Sequence, residues 1–84
     1  MHKNNFLKYI EFEKRYSKHT LISYNTDLTQ FFTFLDVEYD ISDISEVSHQ
    51  IIRSWISIML DGGISSRSVN RKITTLKSFY KYLM

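Results

Sequence analysis

Cysteine and proline are both absent from this 84-residue sequence, and glycine occurs only as the pair Gly62 and Gly63. Without cysteine there is no disulfide framework and no thiolate metal site. Without proline, and with one glycine pair, little interrupts the chain, so long helices with few breaks are expected. Long hydrophobic runs are missing as well, and none approaches the roughly 18–20 residues of a membrane span. The opening MHKNNFLKYIEFEKR lacks the uninterrupted apolar core of a secretory signal. A reducing, cytoplasmic setting is expected, with no membrane partner.

Charge of one sign is missing in two places. From Gly62 onward there is no acidic residue, but there are Arg67, Arg71, Lys72, Lys77 and Lys81. Between Asp27 and Glu46 there is no Lys or Arg, but there are Asp27, Asp36, Glu38, Asp40, Asp43 and Glu46. A second basic group, Lys3, Lys8, Lys14, Arg15 and Lys18, opens the chain around Glu11 and Glu13. The net charge of +2 names no partner, but its distribution predicts a basic pole built from the two ends of the chain.

Catalytic constellations are also lacking. His2, His19 and His49 stand on separate segments without metal-ligand spacing. DGGISS has neither the spacing nor the Lys of a phosphate loop, and the acids of residues 36–46 do not follow a calcium-loop pattern. Neither a cofactor nor a small-molecule substrate is expected.

What is present is a strong helical period. The length fits one small domain, which buries only about 60–65% of its unfolded surface and so commits most large apolar side chains to its core. The 43% hydrophobic content is ample for that. A first helix is predicted over about residues 5–16, and a second over about residues 20–35, where Leu21, Tyr24, Leu28, Phe31, Phe32 and Leu35 recur three and four apart. Ser17 or His19-Thr20 offers its cap. DVEYDISDISEV breaks the period, and Ile41 and Ile44 are expected to pin it to the core. Ser48 caps a third helix over His49–Asp61, and the glycine pair ends it. Ser65 or Ser66 starts a fourth that continues to the chain end. The expected fold is all-α: a compact bundle of four helices with Leu28, Phe31, Trp55, Ile73, Leu76 and Tyr80 in one core.

The fourth helix has two faces. Val69, Ile73, Leu76, Tyr80 and Leu83 form an apolar stripe, while Arg67, Arg71, Thr74 and Ser78 share the other side, with Ser68, Thr75 and Tyr82 beside them. Arg and short hydroxyls suit a polyanion, because Arg can meet guanine edges bidentately and hydroxyls can hold phosphates. The same pattern fits a plain solvated face. The second helix carries Ile22, Thr26, Thr29 and Thr33 away from its core, with Ser23 and Asn25 at the margins. Threonine is a mediocre helix former, so this row is not chosen for helix stability. Base contact and mere tolerance both remain open.

Two segments, FLKYIEFEKRYSKHTLISYNTDLTQFFTFL and GGISSRSVNRKITTLKSFYKYL, resemble the N-terminal core-binding domain of tyrosine recombinases, the SAM-like domain of phage-integrase and Xer-type enzymes. The matching residues are Ser17, Thr20, Tyr24, Asp27, Leu28, Phe31, Phe34 and Leu35, then Gly63-Ile64-Ser65 and Arg71-Lys72-Ile73 with Leu76, Phe79, Tyr80, Tyr82 and Leu83. The resemblance covers essentially the whole chain. It implies a four-helix bundle clamping one side of double-stranded DNA, with helices two and four across the major groove. Thr20, Ser23 and Thr26 would then contact DNA from helix two, and Arg67, Ser68, Arg71 and Thr75 from helix four. Lys18, His19, Ser65 and Ser66 would approach phosphates near helix N-termini. Asp27 is expected at the edge of the core as an ion-pair or hydrogen-bond acceptor. Where family members often carry a basic residue after the helix-two tyrosine, this chain has Asn25 and Thr26.

The family's catalytic domain, with its nucleophilic tyrosine, has no counterpart here: there is no H-x-x-R, and none of the six tyrosines matches. The chain is therefore expected to be one DNA-binding domain of a longer recombinase, not catalytic alone, with other recombinase protomers as partners on DNA. A helical protein-interaction module is the competing expectation.

Overall fold

A computed structural model describes residues 3–83, so His2 and the last residue of the fourth helix pattern lie outside the described residues. Four helices follow one another: α1 (Lys3–Phe12), α2 (Lys18–Tyr39), α3 (His49–Asp61) and α4 (Ser66–Leu83), with a short 3₁₀ turn at Ile44–Glu46 before α3. No strand occurs among the described residues. The fold is all-α. Its central element is α2, which packs on α1 and α4, while α4 also meets α1 and α3.

Each boundary has a local cause. Ser17 caps α2, its Oγ accepting from the Thr20 N–H at 3.2 Å. Ser48 caps α3 and Ser65 caps α4 in the same way, through the Ile51 and Ser68 N–H groups. A cap of this kind is worth about 1 kcal/mol. At the end of α3, Gly63 has φ 90°, and the Ile64 N–H reaches back to the Met59 carbonyl at 3.0 Å. The expected left-handed stop is thus supplied by Gly63, while Gly62 keeps φ −79°.

Two ends differ from expectation. α1 stops at Phe12 rather than near Tyr16, because Arg15 turns left-handed (φ 55°) and the Tyr16 N–H folds back onto the Ile10 carbonyl at 3.1 Å. Tyr16 then sets its ring edge-on to Tyr24, 5.8 Å between centroids. α2 runs four residues past Leu35, to Tyr39, and ends where Asp40 adopts φ 52°. Aspartate is among the few residues that visit this region readily. The acids of residues 36–40 therefore do not break the helix; they ride on its last turn.

The core gathers Phe6 and Ile10 of α1; Leu28, Phe31, Phe34 and Leu35 of α2; Trp55 and Met59 of α3; and Val69, Leu76 and Phe79 of α4. Ile41 and Ile44 are buried with them and fasten the connecting segment as expected. Rings supply much of the contact, with Phe31 and Trp55 4.9 Å apart and Phe6 edge-on to Phe79 at 5.3 Å. Each such side chain contributes about 1.5–3 kcal/mol on burial. Ile73 and Tyr80, expected inside, are only half-buried at the core margin. Their places are taken by Phe79 and by two polar residues, Lys72 and Thr75. At about 100° per residue, the buried stripe of α4 is turned by roughly 50–60° from the apolar one. The reason lies on α2.

Candidate functional site

Asp27 sits one helical turn before Phe31 on α2, on the side facing α4, and is 1% exposed. Its carboxylate is fully engaged. Oδ1 accepts from Lys72 Nζ and Arg71 Nη2, both at 2.9 Å, and Oδ2 accepts from Thr75 Oγ1 at 2.9 Å and Arg71 Nε at 3.4 Å. Lys72 Nζ also donates to Gln30 Oε1 at 2.6 Å. Burial pushes the Asp27 carboxyl up, but the hydrogen bonds from Arg71, Lys72 and Thr75 outweigh it and hold the group below its ordinary value. Asp27 thus stays ionised at the α2–α4 crossing and dictates which side of α4 faces inward. Its expected role as an ion-pair and hydrogen-bond acceptor is what the structure has, but the residue is fully buried rather than at the core edge.

This hub corrects one expectation. Thr75 is completely buried and its hydroxyl is committed to Asp27, with the Arg71 carbonyl at 3.2 Å as its other neighbour. It presents nothing to a ligand on the surface. Lys72 and Gln30, absent from the expected set, belong to the hub instead. Nothing in the period of α4 marks Lys72 for the interior; it turns inward because Asp27 of α2 lies opposite it.

Arg71 lies on the hub's outer side, with half of its side chain exposed. Its Nε and one Nη2 hydrogen face Asp27, which leaves the three remaining N–H donors of the guanidinium directed away from that carboxylate. The group is therefore held in one orientation and still able to donate. Asp27, Arg71 and Lys72 together carry one net positive charge.

The other expected residues sort by exposure. Lys18, His19, Thr26, Ser65, Ser66 and Arg67 are exposed, while Thr20, Ser23 and Ser68 are half-buried. Thr20 Oγ1 lies 3.0 Å from Ser17 Oγ, and Ser65 Oγ donates to Ser68 Oγ at 3.1 Å, so these hydroxyls also serve the two helix starts. Of the threonine row on α2, Thr33 returns its hydroxyl to the Thr29 carbonyl and Thr29 accepts from Lys3 Nζ. Thr26, next to Asp27, has no such internal bond among the described residues. Ile22 stands 61% exposed on this helix. The two basic groups meet where Lys14 and Lys81 line one cleft of about 520 Å³, with Tyr9, Tyr16 and Tyr82. Among the described residues, no group of His, Asp or Glu is placed to hold a metal, and no helix is long and apolar enough to cross a membrane.

Residues 4–84 match the family described as "Phage integrase, N-terminal SAM-like domain". The chain belongs to that family. It is also similar to the tyrosine recombinase XerC of Anoxybacillus flavithermus, 37% identical over 81 residues, which are 96% of this chain and 27% of that protein. The tyrosine recombinase XerC of Bacillus subtilis is 37% identical over 79 residues, covering 94% of this chain and 26% of its own. That of Staphylococcus saprophyticus is 39% identical, with the same coverage. The chain thus spans about a quarter of the length of these curated relatives. No solved structure matches it significantly.

Proposed function

We propose that this SAM-like domain is the DNA-binding N-terminal part of a site-specific tyrosine recombinase. In this reading the N-terminal half of α2 and the adjoining face of α4 lie across the major groove of duplex DNA. Arg67 and Arg71 address base edges or phosphates, Thr26 and Ser23 contribute short polar contacts, and Lys18, His19, Ser65 and Ser66 approach the backbone at two helix starts, where N–H groups favour anions. Strand cleavage and rejoining belong to a catalytic domain of the longer protein. Other recombinase protomers, assembled on DNA in the cytoplasm, are the remaining partners.

The observation that carries the reading is Arg71. A guanidinium anchored on a buried carboxylate, with its free donors outward, is pre-organised for bidentate contact and loses little freedom on binding. The absence of any acid from Gly62 to the chain end keeps the surrounding face attractive to phosphate.

Fluorescence anisotropy on labelled duplexes at stepped salt tests it. Each phosphate contact should steepen the fall of log affinity with log salt by about 0.9. Binding that ignores salt, or no binding even at low salt, defeats the reading and favours protein docking.

A further inference from the structure

The cleft in which the two basic groups meet takes no part in the duplex reading. It opens between the second half of α1, the turn after it and the last turns of α4, over the buried Phe6 and Ile10. Three tyrosines wall it. Tyr9 and Tyr82 lie 5.0 Å apart between ring centroids, and Tyr82 rests against Phe6 at 5.4 Å. Tyr16 is brought to the cleft by the left-handed turn at Arg15, and its N–H on the Ile10 carbonyl and its ring on Tyr24 hold it there. Rings already ordered lose little freedom when a ligand stacks on them.

The charge of the cleft has one sign. Lys14 and Lys81 line it and no carboxylate does, and neither ammonium has an ion-pair partner among the described residues. Lys14 Nζ stands 6.0 Å from the centre of the Tyr9 ring, which keeps one cation at the aromatic wall. Among the described residues, neither Ser78 Oγ nor the three phenols makes an internal hydrogen bond. Lys81 also borders a smaller groove of about 350 Å³ between α3 and α4, where Ile73, Lys77 and Tyr80 lie.

Ring faces call for a planar partner, and two cations without a carboxylate call for an anion. A nucleotide supplies both, and about 520 Å³ lies in the range of small-ligand sites. Its base has to be unpaired, because the stack of a duplex hides both faces of every base. We propose that the cleft binds one unpaired nucleotide, with its base against the rings of Tyr9, Tyr16 and Tyr82 and its phosphate at Lys14 and Lys81. Stacking of this kind tolerates any sequence, since every base has a π-face. Two sources present this chemistry, a free mononucleotide and an unpaired strand end. Ser78 continues the α4 row of Arg67, Arg71 and Thr74, so a strand leaving the proposed duplex face reaches the cleft along one side of that helix. Only the strand source rests on the duplex reading; the cleft itself uses neither Arg67 nor Arg71.

¹⁵N–¹H spectra of the 84-residue chain with millimolar deoxyadenosine monophosphate, deoxyadenosine or inorganic phosphate test the cleft. The nucleotide should shift Tyr9, Tyr16, Ser78 and Lys81 together and bind about fivefold or more tighter than the nucleoside or phosphate alone. Anisotropy then compares a blunt duplex with the same duplex carrying a short unpaired 3′ tail, which should gain about fivefold or more. Nucleotide shifts without that gain assign the site to the free nucleotide, and the gain assigns it to the strand. Tyr16→Ala, and the pair Lys14→Glu with Lys81→Glu, should each abolish the shifts and the gain. Tyr16→Phe, which keeps the ring, and Lys77→Glu, which lies outside the cleft, should preserve both. Arg71→Ala should weaken the blunt duplex and leave the nucleotide shifts in place, so a failed duplex reading is seen separately. All the substituted side chains are exposed, and unchanged circular dichroism separates lost contact from lost folding. Shifts that phosphate alone reproduces mean diffuse charge and overturn the proposal. So does binding that survives Tyr16→Ala, or a cleft that neither the nucleotide nor the tail shifts, even if an acidic tyrosine peptide does.

Discussion

Lys72 Nζ and Asp27 Oδ1 lie 2.9 Å apart across the α2–α4 crossing, both side chains almost wholly withdrawn from water. Arg71 reaches the same oxygen at the same distance from the surface side. One carboxylate thus holds two cations, but only one of them is buried with it.

That difference sets the first prediction. Asp27→Ala strips the partner from a buried ammonium and should cost about 3–5 kcal/mol, the range for breaking a buried pair from one side. Arg71→Ala removes a half-exposed partner and leaves Lys72 and Thr75 on the carboxylate, so it should cost less than about 1 kcal/mol. Urea denaturation of the two variants measures both. Equal losses would mean that Lys72 is not sealed in the hub.

The same group predicts the acid limb of stability. The folded chain holds the Asp27 carboxyl below its ordinary value, whereas the unfolded chain titrates it near 3.9. The unfolded state therefore takes up the proton first as pH falls. The hub's contribution is complete above roughly pH 4–5 and is lost as pH drops from there through the folded value. Asp27→Asn should flatten this limb, seen in urea midpoints from neutral to acid pH. At the alkaline end burial raises the Tyr80 phenol, so its effect has the opposite sign. Stability is unaffected below about pH 10, the ordinary tyrosine value, and declines as pH rises beyond it. Tyr80→Phe should remove that decline.

The phase of α4 can be tested by truncation. Leu76 is 3% exposed and inside the core, so Leu76→Ala should cost about 2–5 kcal/mol. Ile73, only half-buried at the groove, should lose clearly less on the same truncation. If Ile73→Ala proves the more damaging, α4 faces the core with its apolar stripe and the hub is misplaced.

Much of this fold is local and was legible for that reason. The period of α2, the caps at Ser17, Ser48 and Ser65, and the left-handed Gly63 each depend on a few neighbouring residues. So does the burial of Ile41 and Ile44, the only large apolar residues between Val37 and Val47 apart from Tyr39. The end of α2 was less legible because carboxylates in a last turn look like a loop, and Asp40 rather than a glycine makes the stop. The phase of α4 was illegible from its own residues. Lys72 and Thr75 read as surface residues on any wheel and turn inward only because Asp27, more than forty positions earlier, is buried opposite them. For the same reason Thr75 left the candidate site and Lys72 entered the core. Arg71 kept its place at the surface, but its orientation is a property of two helices.

The final prediction concerns that orientation. If α4 lies in the major groove, Arg71 meets a base with donors already aimed by Asp27. Arg71→Ala should then weaken binding to the specific duplex by about 1–3 kcal/mol, the range for one bidentate base contact, and blur selection at one position of the site. Lys77 stands on the opposite edge of α4, in the groove with Tyr80, so Lys77→Ala should change affinity little and selectivity not at all. Arg71→Lys is the sharper control. It keeps the charge but cannot fork between Asp27 and a base, so it should keep most scrambled-duplex affinity while losing the preference for the specific one. Anisotropy titrations on both duplexes at matched salt separate these outcomes. If Arg71→Ala and Lys77→Ala reduce binding alike on both duplexes, the face supplies only diffuse charge, and Arg71 does not read the groove.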